Sequence, residues 1–185
     1  MLWGCEDNPP PSKQPKTTQF ETGRFALQKM IPAARLWSPD AAPIRLASSA
    51  TSQSNGHDGK AGFWRATFAS RSRQKSEPFS WSGMADAHRG VDHGIEDTYS
   101  PNNRSTQTWD LNYLKVDTDH AFEVAQKHGG KELLEKDPKQ PIIYLLDFDP
   151  GSSQLRWHVI YGDTESTAQL TVIVDASSGL FVRKE

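Results

Sequence analysis

Apolar and polar residues alternate with a period of two along much of the last third of the chain, as is typical of half-buried β-strands. Four segments show β-strand character, at residues 142–148, 154–161, 168–175 and 180–183. The turn sequence Asp149-Pro150-Gly151-Ser152 separates the first two segments, and Ser177-Ser178-Gly179 separates the last two. Such short connections allow antiparallel hairpins but not the longer crossover that parallel strands need. We therefore predict a C-terminal antiparallel β-meander.

A helix is predicted just before this meander. Ala121, Phe122, Val124 and Ala125 form an apolar stripe at helical spacing. Asp117 and Thr118 precede the stripe and can accept hydrogen bonds from the free N–H groups of the first turn. Gly129-Gly130 is expected to end the helix, because glycine readily adopts the left-handed conformation found there. A short second helical segment is predicted at residues 131–136.

The first half of the chain shows the same order of elements. An apolar helix is predicted from Phe25 to Trp37, with a kink or restart at Pro32 and a stop at Ser38-Pro39-Asp40. Strands are predicted at residues 43–48, 63–70, 79–81 and 109–116. Trp64 lies in the second predicted strand of the first half, and Trp157 lies in the second predicted strand of the C-terminal meander. The pattern predicts an α+β fold made of two helix-plus-antiparallel-meander units.

The predicted domain organisation has three parts. Residues 1–19 form a proline-rich tether, residues 20–116 the first unit with a long polar loop at 82–105, and residues 117–185 the second unit. Hydrophobic residues make up only 35% of the 185 residues. Because neither unit can bury much apolar surface alone, we expect the two to share one core.

Charge and hydropathy narrow the possible partners. The chain has 21 basic and 23 acidic residues, for a formal net charge of −2. Neither sign of charge dominates, and the basic residues do not form the kind of cluster that a nucleic-acid-binding surface requires. No apolar run reaches the roughly 18 residues of a membrane-spanning helix. No phosphate-binding glycine loop occurs, since Gly129-Gly130 follows a helix, and we expect no cofactor.

The N-terminal sequence Met1-Leu2-Trp3-Gly4-Cys5 resembles the lipobox of bacterial lipoproteins, in which the cysteine is lipidated. Trp3 departs from the small residue usual at its position. Residues 6–19 follow as a polar spacer with three consecutive prolines, which favour an extended chain. This pattern predicts lipidation at Cys5 and an extracytoplasmic, membrane-anchored or periplasmic location. If Met1 is the true start, the alternative is a cytoplasmic protein with an ordinary disordered terminus.

The 82–105 loop carries one set of candidate functional residues. Imidazole and carboxylate groups from this loop are suitable ligands for a divalent metal. A solvated polar loop is the favoured interpretation, because loops are polar by default and the nearby Gly90 and Gly94 predict no helix that would hold such ligands in place. The candidates are His88, Asp92, His93 and Glu96, with Asp97 beside them.

A second set lies at the start of the C-terminal meander. Ser152 or Ser153 with His158, oriented by Asp147 or Asp149, contains the residue types of a hydrolase, but no Gly-x-Ser-x-Gly elbow is present.

Aromatic residues on strands provide a further candidate binding surface. Trp64 and Trp157 stand in alternating strands, so we expect them to pack in the core, and an aromatic binding face is the alternative. His158 is expected on the opposite sheet face from Trp157.

Residues 118–185 resemble a PepSY-like module. The resemblance rests on the helix and meander, on Trp157-His158-Val159-Ile160-Tyr161, and on Val172-Ile173-Val174-Asp175-Ala176-Ser177-Ser178-Gly179. It implies a cystatin-like fold in an extracytoplasmic protein that binds or inhibits a protein or peptide ligand, with no catalytic residues to carry over.

The whole chain is also similar to uncharacterised bacterial proteins of lipoprotein type that carry Gly56-His57-Asp58-Gly59-Lys60-Ala61 and Glu96-Asp97-Thr98-Tyr99-Ser100-Pro101. We therefore expect a non-enzymatic binding or inhibitory module that meets the membrane only through its lipid. A metal-dependent or hydrolytic enzyme that uses the 82–105 loop is the alternative.

Overall fold

A computed structural model describes residues 17–85 and 88–185, and it confirms the predicted α+β class. The three α-helices of this part of the chain are α1 (Gly23–Trp37), α2 (Thr118–Ala125) and α3 (Lys131–Lys136). The first seven strands are β1 (Glu21–Thr22), β2 (Ala42–Ser48), β3 (Lys60–Ala61), β4 (Phe63–Ser70), β5 (Lys75–Ser82), β6 (Gly90–His93) and β7 (Asp97–Thr98). The last four are β8 (Ile142–Asp149), β9 (Gln154–Tyr161), β10 (Leu170–Asp175) and β11 (Phe181–Lys184).

Nine of these strands form one antiparallel sheet. Its order is β11-β10-β9-β8-β2-β4-β5-β6, and β7 pairs with β5 beside β6. The first strand of each meander lies at the centre, where Leu46 of β2 is opposite Leu146 of β8. From this centre the two meanders run outward in opposite directions. The four predicted C-terminal strands are thus confirmed as antiparallel neighbours.

The two meanders share a single core, as the low apolar content predicts. The rings of Trp64 and Trp157 converge on Gly23, where an added Cβ would lie 3.1 and 2.6 Å from them. Each indole N–H donates to a backbone carbonyl at 2.9 Å, from Trp64 to Glu21 and from Trp157 to Val116. Each of these carbonyls lies two residues before the first residue of a helix. The two tryptophans therefore occupy equivalent positions, which supports the predicted repeat.

The N-termini of α1 and α2 meet, and residues at the start of α2 cap both helices. Asp117 Oδ1 accepts hydrogen bonds from Thr118 N at 2.8 Å and from Arg24 N at 2.9 Å. The Thr118 hydroxyl accepts from Gly23 N at 3.1 Å and donates to the carbonyl of Gly59. Asp117 is thus confirmed as a cap of α2, whereas the Thr118 hydroxyl caps α1 and not α2. Together the two side chains satisfy two of the free N–H groups at the start of α1.

The predicted strand at residues 109–116 is wrong. This stretch contains a 3₁₀ turn at Leu111–Tyr113, because Asp110 Oδ1 accepts a hydrogen bond from Asn112 N at 2.8 Å and closes the chain locally. The Trp109 indole N–H donates to Ile44 O at 2.9 Å and ties the turn to β2. The fourth strand of the first meander is instead β6, inside the segment predicted as a loop at residues 82–105.

The two faces of the sheet differ in what they contact. Helices α1 and α2 pack on one face, and the core cluster there includes Leu46, Trp64, Leu146 and Trp157. We call the opposite face the distal face. The alternation of side chains along each strand places Arg45, Asp147, Arg156, His158 and the buried Leu145, Ile160 and Ile173 on it.

Candidate functional site

A row of charged side chains crosses the distal face at its centre. Arg45 of β2 is opposite Asp147 of β8, Asp147 is opposite Arg156 of β9, and Arg156 is opposite Asp175 of β10. Opposite charges directly across a strand pair attract each other. Arg156 is only 8% exposed, and its Nη2 lies 2.6 Å from Asp149 Oδ2. The ion pairs of the row's arginine side chains are made outside it, from Arg45 to Glu165 and from Arg156 to Asp149.

Asp149 fixes the turn between β8 and β9. It accepts hydrogen bonds from Gly151 N at 3.1 Å and from the Ser152 hydroxyl at 2.8 Å. The hydrogen bond from Ser152, helped by Gly151 N and the charge of Arg156, lowers the pKa of Asp149 below its usual value. These contacts keep Asp149 ionised and the turn closed.

The predicted hydrolase residues fall into two separate groups. His158 Nε2 lies 2.9 Å from Asp147 Oδ1, while Ser152 Oγ contacts Asp149 and lies 2.6 Å from Arg156 Nη2. Ser152 stands before β9 and His158 in its middle, so the strand keeps the hydroxyl well away from the imidazole. The contact between nucleophile and base that a catalytic triad needs is not formed by these two residues.

The two strand tryptophans lie in the core, as expected. Trp64 and Trp157 are both 0% exposed, so neither ring offers a surface to a ligand. His158 lies on the distal face, with its side chain 20% exposed. Of these three candidate binding residues, only His158 reaches solvent.

His93, predicted as a metal candidate, pairs with a carboxylate that the sequence did not single out. Its Nδ1 lies 2.6 Å from Oε1 of Glu77, a residue of β5 that is only 4% exposed. The hydrogen bond and the negative charge of Glu77 raise the pKa of His93. Glu77 lies sixteen residues away in the chain, and only the pairing of β5 with β6 brings the two together.

Glu96 forms a separate contact at the end of α1. Its Oε1 accepts a hydrogen bond from Trp37 Nε1 at 2.7 Å and forms an ion pair with Arg73. The indole hydrogen bond, followed by the charge of Arg73, lowers the pKa of Glu96. The guanidinium of Arg73 also lies 4.8 Å from the centre of the Trp37 ring. Neighbouring Asp97 lies in β7, where Oδ1 accepts from Thr98 N at 2.6 Å.

His88 and Asp92 line a recess of about 370 Å³ at one end of the distal face. Phe63 and Met84 contribute its apolar surface, and serines of β5 contribute hydroxyl groups. The complete lining is Ser49, Thr51, Phe63, Ser80, Ser82, Met84, His88 and Asp92. The metal candidates of the 82–105 loop are therefore divided among three places. Within residues 17–85 and 88–185, no group of three or more His, Cys, Asp or Glu side chains is placed to hold a metal ion.

Comparison with known proteins finds one protein of similar fold but assigns the chain to no family. No family model and no curated protein matches the chain. Among solved structures, the fold is similar to that of a protein described as a putative lipoprotein from Clostridium difficile 630, with a TM-score of 0.56. The two are 13% identical, and the match covers 86% of this chain and 91% of that one. At this level of identity the likeness establishes a shared fold.

Two further observations concern the membrane. None of the helices that the structure describes is long and apolar enough to cross a bilayer. Cys5, the predicted lipidation site, lies outside the described residues.

The Gly56-His57-Asp58-Gly59 segment has a structural role that the sequence alone did not reveal. Gly56 and Gly59 have φ angles of +75° and +79°, which glycine adopts without strain. The carbonyl of Gly56 accepts from the Tyr144 hydroxyl, and the ring of His57 lies 2.7 Å from Gln140 O. Together with the bond from Thr118 to Gly59, these contacts anchor the loop before β3 to the second unit, at α2, β8 and the residues just before β8.

Proposed function

We propose that the chain is an extracytoplasmic binding module anchored to the membrane through a lipid on Cys5. The Leu2-x-Gly4-Cys5 sequence and the polar spacer that follows support the anchor. The protein of similar fold is described as a putative lipoprotein, which is consistent with the same location. We also propose that residues 118–185 are a PepSY-like unit, on the basis of their helix-plus-meander pattern.

The recess lined by Phe63, Met84, His88 and Asp92 carries the binding part of the proposal. It combines apolar surface with a few polar groups at its edge, which is the usual composition of a ligand site. Apolar side chains of a protein or peptide ligand would fill it, while Ser80, Ser82 and Asp92 offer hydrogen-bond partners. We expect binding without chemistry at this site, since only His88 and Asp92 of the candidate residues line it, and His93 and Glu96 pair with Glu77 and Arg73 outside it.

The anchor is tested by replacing Cys5 with serine in the full-length protein of the native cell. We expect the unchanged protein to enter the detergent phase of a Triton X-114 partition, because several acyl chains give stable membrane attachment. Cys5→Ser should move it to the aqueous phase. Trp3→Ala is the matched control, because it alters the lipobox but keeps the cysteine, and it should stay in the detergent phase. Equal partitioning of native protein and Cys5→Ser would refute the anchor.

A further inference from the structure

A polar strap crosses the distal face at the end away from the recess. We define the strap as residues 97–106. It begins at β7, which pairs with β5, and Tyr99 N donates to Gln74 O at 3.0 Å. Beyond the strap, Trp109 N donates to Pro43 O at 3.0 Å, next to the bond from its indole N–H to Ile44 O. The segment is thus fixed to β5 on one side and to β2 on the other.

A pocket of about 320 Å³ lies beneath the strap, between it and strands β2, β4 and β5. Thr67 and Ser76 line it from the sheet, and Ile44 adds an apolar side chain. Most of the remaining lining comes from the strap. Its aliphatic hydroxyl groups belong to Thr67, Ser76, Thr98, Ser100, Ser105 and Thr106. The pocket is therefore rich in groups that both donate and accept hydrogen bonds.

Tyr99 is the most unusual residue of this pocket. It lines the pocket and is only 6% exposed, and its hydroxyl is buried without a hydrogen-bond partner among the described residues. Buried polar groups nearly always have a partner, because an unpaired one loses its interaction with water and gains nothing in return. Phenylalanine would fill the same space without that cost. A ligand that pairs with the hydroxyl gives a physical reason for a tyrosine here.

The charges around the pocket favour a neutral ligand. Its lining contains one basic and one acidic side chain, Arg45 and Asp97. Arg45 forms an ion pair with Glu165 and stands opposite Asp147 in the sheet. The pocket lining therefore offers no uncompensated positive charge to attract a phosphate or carboxylate, and its hydroxyl groups are a poor match for an apolar molecule.

We propose that the pocket beneath the strap binds a neutral polyhydroxylated ring, about one sugar residue in size, with the Tyr99 hydroxyl as a hydrogen-bond partner. The volume is at the lower end of the range of about 300–1,000 Å³ that is usual for small-molecule sites. Ring hydroxyls complement the Ser and Thr side chains, and the C–H groups of a sugar ring fit against Ile44. This site is separate from the recess and does not depend on the proposed anchor.

The proposal is tested by titrating the ¹⁵N-labelled protein with glucose, with N-acetylglucosamine and with the N-acetylglucosamine tetramer. We expect saturable shifts of backbone amide signals in the strap and at Thr67 and Ser76. Shifts with a monosaccharide alone identify a free sugar as the ligand, and shifts with the tetramer alone identify a glycan chain. The absence of saturable shifts with all three sugars overturns the proposal.

Variants separate binding from structure. Tyr99→Phe should weaken binding about tenfold, the effect of one buried hydrogen bond, while the melting temperature stays equal or rises because an unpaired hydroxyl is removed. Ser105→Ala should also weaken binding. Tyr113→Phe, at a tyrosine that is 54% exposed and outside the pocket lining, is the matched control and should bind like the unchanged protein. Unchanged affinity in both Tyr99→Phe and Ser105→Ala refutes the site.

Discussion

Trp157→Ala is expected to lower the free energy of unfolding by about 3–5 kcal/mol, the usual cost of removing a fully buried aromatic side chain. The side chain is 0% exposed and its ring contacts Gly23 at the start of α1. Its loss also leaves the carbonyl of Val116 without the indole donor. Because Trp157 belongs to the second unit and α1 to the first, the cavity would open where the two units meet.

Chemical denaturation measures this effect directly. Leu36→Ala is the control, since Leu36 is 89% exposed and its truncation should change stability by less than about 0.5 kcal/mol. Trp64→Ala should match Trp157→Ala, because the two indoles hold equivalent positions. An unchanged denaturation midpoint for Trp157→Ala would mean that the two units do not share a core at this residue.

Gly59→Ala is expected to cost about 2–5 kcal/mol, combining about 1–3 for overpacking and about 1–2 for a left-handed backbone. A Cβ on Gly59 would lie 2.4 Å from the backbone N and Cα of Asp119, and backbone atoms at the start of α2 cannot move aside as a side-chain end would. The φ angle of +79° adds strain for any residue with a Cβ. The bond from Thr118 to the Gly59 carbonyl would also be disturbed.

Gly90→Ala separates the two contributions to this cost. Gly90 has a φ angle of +111°, but a Cβ there would meet no atom within 4 Å. Gly90→Ala should therefore show the backbone strain alone and lose less stability than Gly59→Ala in the same denaturation experiment. Equal losses from the two variants would show that the close approach of Gly59 to α2 contributes nothing.

The second meander could be predicted from the sequence because its strands are rich in β-branched and aromatic residues and the turn between β8 and β9 contains Asp, Pro and Gly. The fourth strand of the first meander could not be predicted in the same way. Gly90–His93 is short and largely exposed, and Val91 is its one aliphatic residue. Apolar or aromatic residues and polar residues alternate over most of residues 109–114, as in a strand. Asp110 nevertheless closes a local turn there, and this turn competes with pairing to a neighbouring strand.

The sequence predicted which residue types could form the candidate sites but not which of these residues lie together in space. Asp147 and His158 pair across adjacent strands of one hairpin, so a short-range pattern brings them together. Glu77 with His93, and Arg73 with Glu96, depend on the packing of separate elements. The pocket at Tyr99 depends on a strap that crosses three strands. Alternation along a strand carries no information about such a crossing.

Photo-crosslinking in the full-length, membrane-attached protein tests the proposed binding module most directly. A photoreactive residue replaces Ser80 in the recess, and a control replaces the exposed Lys29 on α1. The binding proposal predicts a discrete adduct with a protein or peptide from Ser80 that is absent from Lys29. No adduct from Ser80, or the same adducts from both positions, would contradict the proposal that the distal-face recess is a ligand site.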